Sequence, residues 1–264
     1  MAIVETTELT RCYDDLVAVN SVSISVEPAE IFGLLGPNGA GKTTVIKMLT
    51  TILPPTSGTA VIKGFDIRRQ AASVRRVIGY VPQLLSADGT LTGRENLLIF
   101  AELYDVPKSE REARINEVLD FLGLSASADR LVREYSGGMI RRLEIAQSTL
   151  HHPSVLFLDE PTTGLDPLAR TAVWEHIRAL RSQYGITIVL TTHLMDEADR
   201  LSDRVAIMSA GQVAVVGKPS ELKKSVGKEN ATLDDVFINY TGGQPEGGAY
   251  RDVERARRVA RRVG

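Results

Sequence analysis

The chain opens on an alternation of apolar and polar positions. Residues 3–9 and 19–27 read as strands, and VNSVSISV (19–26) switches side with period two. IFGLL (31–35) is a short apolar run ending before glycine, followed by the helical pattern TTVIKMLTTIL (43–53). TAVIKGFDI (59–67) and RRVIGYVPQ (75–83) suggest further strands. From about Leu91 to His152 the spacing turns helical, through RENLLIFAELY, KSEREARINEVLDFLGL and MIRRLEIAQSTL. VLFLD (155–159) is a buried-type strand. LARTAVWEHIRALRSQY (168–184) is a helix ended by Gly185, ITIVLTTH (186–193) a strand and MDEADRLS (195–202) a helix. RVAIMSAGQVAVVG (204–217) predicts a hairpin turning at Ala-Gly, and TLDDVFINYTGG a short helix with a Thr cap and a terminal Gly.

Apolar strands alternating with helices predict a three-layer α/β domain with a mostly parallel sheet. The early alternating strands add a small antiparallel sheet on one side, and the helical stretch from 84 to 153 is an insertion. GGQPEGG (242–248) reads as a flexible linker. RDVERARRVARRVG (251–264) carries six arginines against two acids. It reads as a solvated surface helix, the alternative being contact with acidic lipid or a partner.

Composition narrows the classes. The chain has 264 residues, 43% apolar and 24% charged, enough for a well-buried core in one or two domains. A formal net charge of −2 gives no sign of a nucleic-acid binder. Cys12 is the only cysteine, so no internal disulfide forms, which fits a reducing compartment. The first twenty residues lack the cationic start and apolar core of a signal peptide. No apolar stretch approaches the roughly 20 residues that span a bilayer, so work at a membrane needs another chain to do the spanning.

GPNGAGKTT (36–44) matches G-x-x-x-x-G-K-[ST] and lies between an apolar strand and a helix, as the motif requires. Gly36, Gly39 and Gly41 let the backbone curl, so that the N–H groups of a loop that also holds Pro37, Asn38 and Ala40 point inward as an anion nest. Lys42 reaches the β- and γ-phosphates, the Thr43 hydroxyl takes a place on Mg²⁺, and Thr44 adds a donor at the helix N-terminus. VLFLDE ends in two acids. Asp159 suits a Mg²⁺ shell, and Glu160 suits a base for the attacking water. Gln83 and His193 follow two other strands, where ligands of doubly wound sheets sit. Gln83, Asp159, Glu160 and His193 thus converge on one γ-phosphate, with Gln83 also a candidate for the metal shell.

YSGGM (135–139) is a second glycine-rich helix start, without a lysine. Alone, Ser-Gly-Gly is ordinarily a helix cap with a tight turn. Together with the motifs above, it makes the chain resemble the ATP-binding subunits of ABC (ATP-binding cassette) transporters over about residues 3–220. GPNGAGKT resembles the Walker A loop, VLFLDE the Walker B strand, YSGGM the signature loop and GLD (164–166) the D-loop, while Gln83 and His193 fall at the Q-loop and switch positions. The resemblance implies a P-loop NTPase core over 1–83 and 154–225, a helical signature subdomain over 84–153, and a C-terminal extension over 226–264.

It further implies ATP hydrolysis with Mg²⁺ in a homodimer docked on separate transmembrane subunits at the cytoplasmic face of the membrane. Ser136, Gly137 and Gly138 would then contact the γ-phosphate held by the partner chain, Asp166 would join the nucleotide site, and Tyr13 would stack on adenine. A core or hairpin tyrosine is the other reading of Tyr13. Tyr135 and Met139 depart from the usual Leu and Gln, which puts in doubt any relay through the glutamine side chain. LTGRENLLIFAELY, GLDPLARTAVWEHIRAL and TTHLMDEADRLSDRVAIM are most similar to drug-resistance exporter ATPases. An importer ATPase and a soluble non-transport cassette ATPase are the alternatives.

Overall fold

The computed structural model describes residues 1–242. The linker beyond Gly242 and the arginine-rich stretch lie outside the described residues. The chain runs β1 (Val4–Tyr13), β2 (Leu16–Val22), β3 (Ser25–Val26), β4 (Ile31–Leu35), α1 (Lys42–Leu49), β5 (Ser57–Ile62), β6 (Phe65–Asp66), α2 (Ala71–Val77) and β7 (Ile78–Val81). Three helices follow, α3 (Gly93–Leu103), α4 (Lys108–Phe121) and α5 (Gly137–Thr149). Then come β8 (Val155–Asp159), α6 (Pro167–Tyr184), β9 (Thr187–Thr192), α7 (Met195–Leu201), β10 (Arg204–Ser209), β11 (Gln212–Gly217), α8 (Pro219–Ser225) and α9 (Leu233–Thr241).

Two sheets form. The smaller is antiparallel, in the order β2-β1-β5-β6, with β3 beside β1. The larger runs β11-β10-β4-β9-β8-β7 and is parallel except for the β10–β11 hairpin. β4, β8 and β9 are buried on both faces, as continuous apolar runs require. Alternation within β8 divides the core. Leu156 and Leu158 face the cluster built with α3–α6, whereas Val155 and Phe157 face the cluster shared with α1 and the antiparallel sheet. Each such fully buried side chain contributes about 1.5–3 kcal/mol.

Register decides where the site falls. Leu35 pairs with Thr192, Asp159 with Thr191, and Val81 with Leu158. The carboxyl ends of β4, β9, β8 and β7 therefore share one edge of the sheet, followed by Gly36, His193, Glu160 and Pro82–Gln83.

The structure departs from the sequence reading locally. RRVIGYVPQ is not all strand, because its first three residues close α2 and β7 begins at Ile78. α2 buries only Val74, too little to leave a helical stripe in the sequence. The helix read to residue 53 stops at Leu49, where Thr50 bonds back to the Ile46 carbonyl and Thr51 turns left-handed. VNSVSISV is split into β2 and β3, and β1 continues to Tyr13 as a hairpin ribbon with bulges. α8 was not anticipated; it is one short helix with Pro219 in its first turn and Leu222 buried.

α5 lies close against β7. A Cβ on Gly79 would stand 2.2 Å from the Ser148 carbonyl oxygen and 2.9 Å from Leu156 Cδ1. Gly79→Ala is expected to destabilise the fold by about 1–3 kcal/mol, read as a lower thermal midpoint. An unchanged midpoint would mean that β7 and α5 separate freely.

Candidate functional site

The loop 36–44 follows β4 directly. Gly36 donates its N–H to the Thr192 carbonyl at 3.2 Å, and Ala40 donates to the Pro37 carbonyl at 3.2 Å. Asn38 and Gly39 are exposed at its crest, whereas Gly36 and Ala40 are buried. Gly41 is the N-cap of α1 at φ 99°, and a Cβ there would meet the Ala18 carbonyl oxygen at 2.6 Å. Only glycine fits both demands. Thr43 and Thr44 occupy the first turn of α1. The loop rests on the β10–β11 hairpin, whose Gly211 donates to the Ala40 carbonyl at 3.2 Å and accepts from Asn20 at 2.8 Å.

Lys42 is buried at the foot of the loop, where Nζ donates to the carbonyls of Gly36 at 2.7 Å and Pro37 at 3.0 Å. Nζ also stands 3.6 Å from Glu160 Oε1. Burial pulls this ammonium below the usual lysine range, and Glu160, with a smaller push from Asp159, opposes the fall.

Glu160 is where the predicted residues meet. Its backbone has φ 49°, a left-handed conformation costing about 1–3 kcal/mol in a non-glycine residue. Thr191 holds the strained residue by accepting the Glu160 N–H on Oγ1 at 2.9 Å. Gln83 Nε2 donates to Glu160 Oε2 at 3.0 Å, and Thr163 Oγ1 donates to the same oxygen at 3.1 Å. His193 Nδ1 lies 3.2 Å from Oε1, a close contact not aligned as a hydrogen bond. Burial pushes the carboxyl up, yet His193 and Lys42 outweigh it and hold Glu160 below the usual carboxylate range.

Asp159 is fully buried. Its Oδ1 accepts from Thr43 Oγ1 at 3.0 Å and from Thr191 Oγ1 at 2.6 Å, while Oδ2 has no partner. An orphaned buried carboxylate oxygen beside a threonine hydroxyl fits the water shell of a hard divalent cation such as Mg²⁺.

Ser136, Gly137 and Gly138 begin α5. The Ser136 Oγ accepts the Met139 N–H at 3.3 Å as N-cap. Ser136 and Gly137 are exposed. Among the described residues no hydrogen bond joins this start to the chain's own phosphate loop. Gly138 is buried against Ala169 of α6. The two departures in this loop have packing reasons. The Tyr135 hydroxyl donates to the Ser127 carbonyl at 2.6 Å, and Met139 packs on the helical core. Asp166 caps α6 by accepting from the amides of Leu168 and Ala169, both at 3.0 Å. Tyr13 ends β1 at the first hairpin, with its ring 39% exposed and the Arg11 guanidinium 4.7 Å from its centroid. It is a hairpin residue, not a core one, and the Arg11 guanidinium already lies over its ring.

Sequence reading missed four supporting residues. Thr191 and Thr163 are noted above. Arg141 and Glu144 form a buried pair at 3.0 Å on α5. Arg141 donates to the carbonyls of Pro82 at 2.7 Å and Gln83 at 2.9 Å, and Glu144 accepts from the Ser86 backbone and hydroxyl. Two paired threonines inside the apolar run ITIVLTT were the readable signal for Thr191. Nothing local in MIRRLEIAQ marks one arginine as buried.

The sequence pattern defining the ABC transporter domain matches residues 19–163. The chain is 45% identical over 224 residues to the daunorubicin/doxorubicin resistance ATP-binding protein DrrA of Streptomyces peucetius, covering 85% of this chain and 68% of that protein. It is 44% identical over 225 residues to the Nod factor export ATP-binding protein I of Burkholderia thailandensis, covering 85% and 74%. Its fold is similar to an ATP-binding subunit of an ABC transporter, with TM-score 0.80, 29% identity and coverage of 90% and 99%. It is also similar to cbiO1 from Clostridium perfringens, part of the transporter complex cbiONQ, with TM-score 0.77, 28% identity and coverage of 89% and 97%.

Proposed function

Because this chain belongs to the ABC transporter family, as an ATP-hydrolysing subunit of the exporter kind, we propose that it drives export by ATP-dependent closure of a homodimer. The observation that carries this reading is the convergence of Lys42, Gln83 and His193 on Glu160, with Thr43 beside Asp159. Among the described residues no helix is long and apolar enough to cross a membrane. Membership of a transporter family supports separate membrane-spanning permease chains as its partners, and the reading places the subunit at the cytoplasmic face. Leu84 and Leu85, just past Gln83, are 81% and 53% exposed and suit contact with such a chain. We infer a drug or another small hydrophobic compound as cargo, a reading supported by the relatives named for daunorubicin/doxorubicin resistance.

The geometry supports a role for each residue. The loop amides and Lys42 bind the phosphates, and Tyr13, exposed at the first hairpin, would stack on adenine. Thr43, Asp159 and Gln83 would hold Mg²⁺, which would supply neutralisation of phosphate charge. Glu160 takes a proton from the attacking water while that water's oxygen bonds to the γ-phosphorus. The bond from phosphorus to the bridging oxygen breaks, leaving ADP and inorganic phosphate. Gln83, Thr163 and His193 orient the Glu160 carboxylate. Ser136 and Gly137 stand exposed at the start of α5, with Gly138 buried just behind them, and this helix start would meet the γ-phosphate of the partner chain. Asp166 supports that approach by fixing the start of α6, on which Gly138 packs.

ATP-driven dimerisation tests the proposal, measured by light scattering in a Glu160→Gln background that slows turnover. Adding Ser136→Arg is expected to leave ATP binding to the monomer intact and to abolish the dimer. Dimers at the undisturbed level would rule out the contact in trans.

A further inference from the structure

Glu197 is only 1% exposed, although it carries an acid. It sits in the first turn of α7, the helix that starts just past His193. Its Oε1 accepts from Thr162 Oγ1 at 2.6 Å and from Trp174 Nε1 at 2.9 Å. Among the described residues no cation forms an ion pair with it. A buried carboxylate held only by neutral donors is a costly choice at a position where an apolar side chain would pack.

What meets at this oxygen explains the choice. Thr162 lies in the turn between Glu160 and Asp166, and it is itself 1% exposed. Its carbonyl accepts from Leu165 at 3.2 Å, which closes the turn, and its neighbour Thr163 donates to Glu160 Oε2. Trp174 lies on α6, the helix capped by Asp166. One oxygen thus joins the turn behind Glu160, the helix behind His193 and the helix behind Asp166. No hydrogen bond among the described residues links Glu197 to the phosphate loop.

We propose that Glu197 is a positioning residue for hydrolysis: through Thr162 it holds the Glu160 turn and the His193 helix in one fixed relation. The inference rests on the reading of Glu160 as the base. It separates two quantities. Loosening the junction slows the chemical step, and ATP affinity is untouched because Lys42 and the loop amides do not depend on Glu197.

Trp174 is the only tryptophan in the chain, so intrinsic fluorescence reports this junction without a label. Three variants of the full chain test the proposal. Glu197→Ala is expected to lower kcat by about tenfold to a hundredfold, as misplacement of a catalytic group does, with unchanged affinity for a fluorescent ATP analogue. Its Trp174 emission is expected to shift. Glu197→Gln keeps an acceptor at the same place and is expected to recover most of the turnover. Thr162→Val removes one donor at nearly constant volume; it is expected to lower kcat while leaving Trp174 emission as in the parent, and it decides the matter if Glu197→Ala does not fold.

Parental kcat in Glu197→Ala or in Thr162→Val would overturn the proposal, as would a parallel loss of kcat and affinity. Parental turnover in Glu160→Gln would instead remove the reading of Glu160 on which the proposal stands, so the two failures are told apart.

Discussion

Glu160→Gln is expected to keep ATP bound while turnover falls by about 10²–10⁴-fold, the usual worth of a general base. Glutamine keeps the shape and one oxygen, so the donors Gln83 Nε2 and Thr163 Oγ1 retain an acceptor. What is lost is a site that can take a proton. The substitution also removes a negative charge 3.6 Å from Lys42, so the phosphates meet less repulsion and binding does not weaken. Phosphate release measured under saturating ATP, beside binding of a fluorescent analogue, separates the two effects. Unchanged turnover would remove Glu160 as the base.

Lys42→Ala is expected to act on the other quantity, ATP affinity. The ammonium is buried at the foot of the loop and is the only cation in the motif. A hydrogen bond to a charged group contributes about 1.5–3 kcal/mol, so losing one to the phosphates weakens binding by roughly 10–150-fold. The substitution also leaves Glu160 without its cationic neighbour, which adds repulsion of the same sign. Equilibrium binding of the analogue at fixed Mg²⁺ reads the change. An affinity equal to that of the parent would mean that the loop amides alone hold the phosphates.

Where the sequence was legible, the reason is burial on both faces. IFGLL, VLFLD and ITIVLTT have no polar face to display, so their runs mark β4, β8 and β9 nearly to the residue. Strand ends then point to Gln83, Asp159, Glu160 and His193. The Ala-Gly turn of the β10–β11 hairpin was equally plain, because Ala210 and Gly211 must both adopt positive φ there. α2 and α8 escaped notice, since each buries too few side chains to leave a periodic stripe. The supporting shell escaped for another reason. Arg141, Glu144 and Glu197 look like surface charges on amphipathic helices, and only tertiary packing turns them inward.

The floor beneath the phosphate loop has a thermodynamic meaning. Gly41 seats against the Ala18 carbonyl, and Gly211 bridges Ala40 and Asn20, so two hairpins from different sheets hold the loop through the chain's own contacts. The entropy of ordering these residues is met when the protein folds. Nucleotide entry then carries little of the heat-capacity change that marks coupled folding, and its free energy is left for the phosphates themselves.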